Sequence, residues 1–249
     1  MDLFFYSVLN HIFSLLPMKR TSKLSKIQSL MEYLQELFPN ATSELQFENP
    51  YQCLVAVMLS AQTTDKSVNQ ATSQLFKILK SPSDILTLDE ETIRSYLKTL
   101  NFYKNKTHYL IKLSHQLLEL NQKKENKNLT FSEKGQKHQF GFFIPGSEEE
   151  LTQLTGIGIK TAKVVLANVF HTPTIAVDTH VHRVINRLSI ATTKTPQQTS
   201  LIINQLFPEG YKRHANNQIV LFGRYYCKAK NPLCDHCKLK DLCTYHKKG

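Results

Sequence analysis

Apolar and polar positions alternate with a helical period along most of the chain. Within 25–37, Ile27, Leu30, Met31, Leu34 and Leu37 recur at helical spacing and predict an amphipathic helix. Asn49-Pro50 then supplies a capping residue and a proline at the first helical position. The helix opened there, YQCLVAVMLSAQ, is apolar almost all round, which predicts a central place in the core. Further helices are predicted over 66–79, 83–87, 90–99 and 103–120. Ser147 and Glu150 form a capping box ahead of 147–153, and 158–170, 179–188, 196–205 and 211–226 continue the pattern. Strand-like alternation is scarce, so the predicted fold class is all-α.

Two stretches break the pattern. Residues 1–17, MDLFFYSVLNHIFSLLP, are apolar but lack the positive start and the small-residue cleavage site of a signal peptide. Met18-Lys19-Arg20 offers an alternative start, so 1–17 is set apart as an extension. Residues 121–140 are polar and lysine-rich and predict a solvated loop or insertion. No apolar run approaches the roughly 20 residues a membrane-spanning helix needs.

Charge adds a partner class. Against 20 Asp+Glu stand 31 Lys+Arg in 249 residues, a formal net charge of +11. Such an excess suits a polyanion, nucleic acid foremost, and equally well serves solubility alone. The five cysteines are unevenly spread. Cys53, in the apolar helix, reads as a buried small hydrophobe. Cys227, Cys234, Cys237 and Cys243 follow the spacing C-x6-C-x2-C-x5-C. Four thiolates so close can hold zinc or an iron–sulfur cluster, and disulfides are the weaker third reading. Spacing alone favours zinc slightly, because zinc sites are commoner, although they commonly repeat C-x2-C twice and here it occurs once.

Candidate chemistry lies between these regions. Gly156 and Gly158, in LTGIGIK, allow a tight turn between two helices. The second helix then starts with unpaired backbone N–H groups, a natural phosphate site. A bare G-x-G would suit any helical hairpin. Lys160 stands in the first turn of that helix, and Asp178 stands where the apolar run TIAV meets the next one. Taken singly they read as a surface lysine and an N-cap; taken together they pair an amine nucleophile with a carboxylate.

The longer string LTGIGIKTA is similar to the helix-hairpin-helix motif, which grips DNA backbone without reading bases. With SAQTTD at 60–65, NFYKNKT at 101–107, TIAVDTHVHRV at 174–184 and LFGRYYC at 221–227, the chain resembles the endonuclease III family from about Asn49 to Cys243. These are DNA glycosylases with lyase activity. The resemblance implies a two-lobed all-α fold with a six-helix barrel lobe over 44–172 and a discontinuous cluster lobe over 18–43 and 173–249. It implies a 4Fe-4S cluster on Cys227, Cys234, Cys237 and Cys243, matching the family spacing in all four positions. It makes Lys160 the nucleophile and Asp178 the essential carboxylate. Gln62 would fill the hole left by the extruded base, Phe102 would wedge beside it, and Gly156 and Gly158 would approach the phosphates. Lys228 and Lys230, in the loop between the first two ligands, look placed for phosphate. The implied partner is double-stranded DNA with damaged bases or abasic sites. A monomer is implied, with no membrane contact, cytoplasmic and nucleoid-associated if prokaryotic.

The chain departs from the family at Asn101, where glycine is usual, and Asn is expected there to supply the positive φ. Thr155 replaces a frequent proline and is expected to cost stiffness. His182 is expected to be a surface histidine. Two rival readings remain at this point. Mismatch-adenine glycosylases share the fold, but they usually lack the lysine and carry a glutamate in the central helix, which has none here. A non-catalytic DNA-binding module with a zinc site would need neither Lys160 nor Asp178.

Overall fold

The computed structural model describes residues 22–126 and 141–248. The extension at 1–17 and the polar stretch beyond Asn126 lie outside them. The main helices are α1 (Ser22–Leu37), α2 (Pro50–Leu59), α3 (Asp65–Ile78), α4 (Glu90–Leu97), α5 (Tyr103–Asn126), α6 (Glu148–Thr152), α7 (Ile159–Val169), α8 (Thr179–Arg187), α9 (Pro196–Leu206) and α10 (Glu209–Tyr225). Pro82–Thr87 forms a 3-10 helix, and no strand element occurs among the described residues.

The helix starts follow from capping chemistry. Asn49, Thr64, Asp89, Ser147 and Thr195 each accept a backbone N–H in the first turn of the helix they precede. Asn49 also donates to the carbonyl of Lys80 at 3.0 Å, so one side chain both starts α2 and ties it to the end of α3. One boundary differs from expectation. The helix predicted to stop at 120 runs on to Asn126. Asn121 explains this: its Nδ2 donates to the carbonyls of Leu117 and Phe143, and its Oδ1 accepts from the N–H of Phe143 at 2.6 Å. The polar stretch therefore begins as helix, pinned by its own first side chain.

Two separate hydrophobic cores organise the chain. In the first, α2 is buried along its whole length, and its Tyr51 and Leu54 share a core with Leu75, Ile93, Leu113 and Leu151. Cys53 belongs to this core at 0% exposure, and burial pushes its thiol pKa up to about 12, as expected of a bystander. In the second, Ile27, Leu30 and Leu34 of α1 meet Val181 and Ile185 of α8 and Ile219 of α10. The N-terminal helix thus packs with the C-terminal helices. Gln218 on α10 fastens it by donating to Gln35 Oε1 at 2.9 Å and the carbonyl of Phe38 at 3.1 Å. Helices α8 and α10 approach closely at Gly223, where a Cβ would come within 2.9 Å of His180 Cβ. Between the cores runs a cleft with walls drawn from both: Gln62, Thr64 and Lys160 from one side, Asp178, His180 and Arg224 from the other.

Candidate active site and cluster site

Lys160 is the second residue of α7, whose N-cap is Gly158. Ile157, between the two glycines, is buried at 5% exposure and anchors the turn. The glycines do different work. Gly156 has φ of 80°, and a Cβ there would meet Met58 Cγ at 3.0 Å and Tyr109 Cδ2 at 3.3 Å. Gly158 has ordinary φ, and a Cβ there would meet nothing within 4 Å. Only Gly156 is required by the turn itself; Gly158 leaves its outer side open to whatever approaches the helix N-terminus. Thr155 does not simply lose stiffness. Its N–H donates to Gln116 Oε1 at 2.8 Å, a bond proline cannot make, so the turn is tied to α5 instead.

Asp178 and Lys160 line one cavity, together with Gln62, Asp65 and Arg224. Asp178 is the N-cap of α8: its Oδ1 accepts from the N–H groups of both His180 and Val181, each at 2.8 Å. The modest N-cap reading is therefore correct as local structure. It leaves Oδ2 without a hydrogen bond among the described residues, available to the cavity. Asp178 is thus both a cap and a carboxylate with one uncommitted oxygen.

Sequence reasoning missed Asp65, though its motif was in view. It sits at the start of α3 and pairs with Arg224 of α10 at 2.8 Å. Burial raises its pKa above the usual carboxylate value; Lys160 opposes this, Asp178 adds to it, and His180 opposes it. These groups therefore form one electrostatic set. Arg224 also pairs with Glu44, whose other oxygen accepts from Tyr225 OH at 2.5 Å. His180, not His182, is the histidine on the cleft wall. His182 is half-buried and bonds Thr199 Oγ1 at 2.6 Å, tying α8 to α9, which corrects its reading as a surface residue.

Gln62 and Phe102 stand on adjoining segments. Asn101 Nδ2 donates to the carbonyl of Gln62 at 2.8 Å. The positive φ expected at Asn101 falls one residue later, on Phe102 at 57°, with a second on Gln62 at 52°. Asn101 is used for its amide rather than for its backbone tolerance. Phe102 is 62% exposed and so is no part of the core.

The four clustered cysteines carry free thiols and line one cavity at the end of α10. Cys227 follows that helix, and short 3-10 turns, Cys234–His236 and Lys240–Leu242, precede Cys237 and Cys243. Among the described residues no three His, Cys, Asp or Glu side chains converge closely enough for a single metal ion. Four cysteine thiols lining one cavity are the donor set that an iron–sulfur cluster takes. Burial raises the Cys227 thiol pKa, while Arg187 and Arg183 lower it. Burial likewise raises Cys237, and the other cysteines reinforce the rise. The positive iron of a bound cluster would offset that cost of gathering thiolates.

These features have close counterparts. Residues 55–209 match the model of the HhH-GPD superfamily base excision DNA repair protein. Residues 227–243 match the iron-sulfur binding domain of endonuclease III. Endonuclease III of Haemophilus influenzae is 37% identical over 227 residues, 91% of this chain and 98% of that protein. The chain belongs to the endonuclease III family. Endonuclease III of Escherichia coli K12 is likewise 37% identical, over 90% of this chain and 97% of that protein. A trapped endonuclease III–DNA covalent intermediate, an estranged-adenine complex, aligns with TM-score 0.77 at 33% identity, covering 92% of this chain and 98% of that one. A thermostable thymine-DNA glycosylase, at 20% identity and TM-score 0.75, shares the fold. Membership makes the chain a base-excision repair DNA glycosylase and lyase with a 4Fe-4S cluster, which overturns the zinc-module alternative.

Within this endonuclease III architecture, Arg187 is a residue no motif announced. Its guanidinium donates to the carbonyls of Lys228 at 2.7 Å and Ala229 at 3.2 Å and to Cys227 Sγ at 3.4 Å, and lies 3.9 Å from the Tyr245 ring centroid. Its own carbonyl accepts from Cys243 Sγ at 3.4 Å and Thr244 N at 3.1 Å. One residue therefore braces both ends of the cysteine segment. Losing a hydrogen bond to a charged group costs about 1.5–3 kcal/mol. Arg187→Met should therefore speed cluster loss on mild heating roughly tenfold or more, read as fading visible absorbance and iron release. Unchanged decay would show that the cysteines hold the cluster without this brace.

Proposed function

We propose that the chain removes oxidised pyrimidines from duplex DNA and cleaves the abasic site on its 3′ side by β-elimination, with Lys160 as nucleophile and Asp178 as essential carboxylate. The observation that carries this reading is their meeting in one cavity, each delivered by a helix N-terminus, on opposite walls of the cleft. The base must leave the stack to reach them. As the bond from C1′ to the base breaks, the sugar gains positive character, which the open oxygen of Asp178 stabilises. The Lys160 amine adds to C1′, the base departs with the bonding pair and a proton, and ring opening leaves a Schiff base. Loss of a 2′ proton then expels the 3′ phosphate, and water releases the enzyme. The covalent intermediate solved for an endonuclease III supports a covalent route.

Gln62 enters the vacated space and bonds the widowed base, and Phe102 stacks beside it. The open side of Gly158 takes a phosphate at the start of α7. The barrel lobe is assigned to 44–172 and the cluster lobe to 18–43 with 173–249, a division supported by the two separate cores. The cluster, when bound by Cys227, Cys234, Cys237 and Cys243, shapes the loop that carries Lys228 and Lys230. Catalysis proceeds with this chain's own side chains, acting as a cytoplasmic monomer on duplex DNA. No helix of the described residues is long and apolar enough to cross a membrane.

The deciding experiment is borohydride reduction during turnover on duplex DNA carrying one oxidised pyrimidine. A covalent protein–DNA adduct is expected, and its absence would sink the Schiff-base route. The cluster loop has its own test. Lys228 is half-buried with its carbonyl held by Arg187, and Lys230 is exposed. If each meets one phosphate, replacing both with Ala should make the log–log salt dependence of binding shallower by about 1.8. An unchanged slope would make them solvated charges.

A further inference from the structure

Lys106 is buried to 4% exposure and makes no ion pair among the described residues. Its ammonium donates to Thr63 Oγ1 at 2.5 Å. Burial pulls its pKa below the usual lysine value. An ammonium taken out of water and held only by a neutral hydroxyl costs folding free energy, and a functional use is one reason for a fold to keep it. Its place in the fold shows the use. Thr63 directly follows Gln62, which has φ of 52°. Lys106 lies one turn beyond Phe102, which has φ of 57°, and its N–H donates to the Phe102 carbonyl at 3.0 Å. Asn101 supplies the second tie, to the Gln62 carbonyl at 2.8 Å. Two strained, non-glycine residues with exposed side chains are thus fastened to each other from behind by one amide and one ammonium.

We propose that Lys106 is a positioning residue for base extrusion: through Thr63 it clamps the 60–63 turn onto the 101–106 segment, so that Gln62 and Phe102 stand side by side before DNA arrives. This rests on the gap-filling reading of those two residues. The clamp settles their strained backbone in advance, so insertion into the duplex meets less ordering cost. Asn101 holds the Gln62 carbonyl, and the turn's own bonds, from Thr63 N to the Ser60 carbonyl at 3.1 Å and from Thr63 Oγ1 to the Ala61 carbonyl at 3.4 Å, stay within 60–63; Lys106 adds the tie from Thr63 to the 101–106 segment.

The test compares single-turnover excision of an oxidised pyrimidine placed opposite a base and opposite a one-nucleotide gap. With the gap there is no widowed base for Gln62 to bond. Lys106→Met keeps most of the side-chain volume and removes the ammonium; Thr63→Val removes the acceptor. Each should slow excision about tenfold on the paired substrate and less than about threefold on the gapped one. The double variant should be no slower than Thr63→Val alone, since both substitutions break the Lys106–Thr63 bond and Thr63→Val already gives up the weaker one to the Ala61 carbonyl. Lys106→Arg should restore part of the paired rate. Equal losses on both substrates would reduce Lys106 to a structural residue, and no loss in a folded Lys106→Met protein would also overturn the clamp. Should Lys106→Met fail to fold, Thr63→Val decides by the same criterion. Gln62→Ala separates the layers. If it shows no preference for the gapped substrate, the gap-filling reading fails and the clamp falls with it. If it shows the preference and the clamp variants do not, the clamp alone fails.

Discussion

Lys160→Ala should abolish the borohydride-trapped adduct and lower strand cleavage roughly 10³-fold or more, the scale on which a covalent nucleophile matters when it acts as a unit with its partner group. Binding to lesion DNA should stay within about threefold, because phosphate contacts dominate affinity. The substitution is structurally mild. Lys160 is exposed at the start of α7, while the turn is held by buried Ile157, by Gly156 and by the bond from Thr155 to Gln116. A folded, DNA-binding and adduct-free protein is therefore the expected result. Assaying a preformed abasic site separates the two half-reactions: cleavage there also needs the amine, so it should fall in parallel with the trapped adduct. An adduct that persists in Lys160→Ala would move the nucleophile elsewhere and remove the central claim about this cavity.

Much of this site could be read in the sequence because it depends on local rules. Caps such as Asn49, Ser147 and Thr195 announce helix starts through chemistry within one turn, and those starts hold to within a residue or two. Lys160, Asp178 and the cysteines sit in contiguous strings, and the resemblance of those strings to the endonuclease III family is what implied their roles. The residues that escaped notice act across long separations. Arg224 reaches Asp65 across 159 positions and Glu44 across 180. Arg187 reaches the cluster loop from the far end of α8. Lys106 is an ordinary lysine in NFYKNKT until folding removes it from water. Asn101 shows a subtler failure. Its residue type suggested a positive φ, yet the positive φ falls on Phe102, while the Asn101 amide bonds the Gln62 carbonyl. A residue with two uses cannot be assigned to one of them by propensity alone.

Asp178 is the counterpart case, and its variant separates two roles held in one carboxylate. Asp178→Asn keeps an oxygen that can accept from the N–H groups of His180 and Val181, so the cap survives. What is lost is the charge, worth about 0.3–1 kcal/mol to the helix N-terminus. The melting temperature should accordingly move by only a few degrees. Base excision should fall about 10²–10³-fold, the cost of removing one preorganised group aimed at developing charge. DNA affinity should be retained or rise, since a negative group leaves the cleft. Asp178→Ala removes both functions and should add about 1 kcal/mol of destabilisation to a similar catalytic loss. The comparison is decisive because the N-cap reading alone predicts the opposite order: Asn near wild type in activity, Ala impaired. If Asp178→Asn turns over at the wild-type rate, the open oxygen has no catalytic part and Asp178 is a cap alone. In the double variant Lys160→Ala with Asp178→Asn, strand cleavage should be scarcely worse than in Lys160→Ala, because that step needs the amine, whereas residual base release should fall further, because the carboxylate stabilises the charge on the sugar with or without the amine.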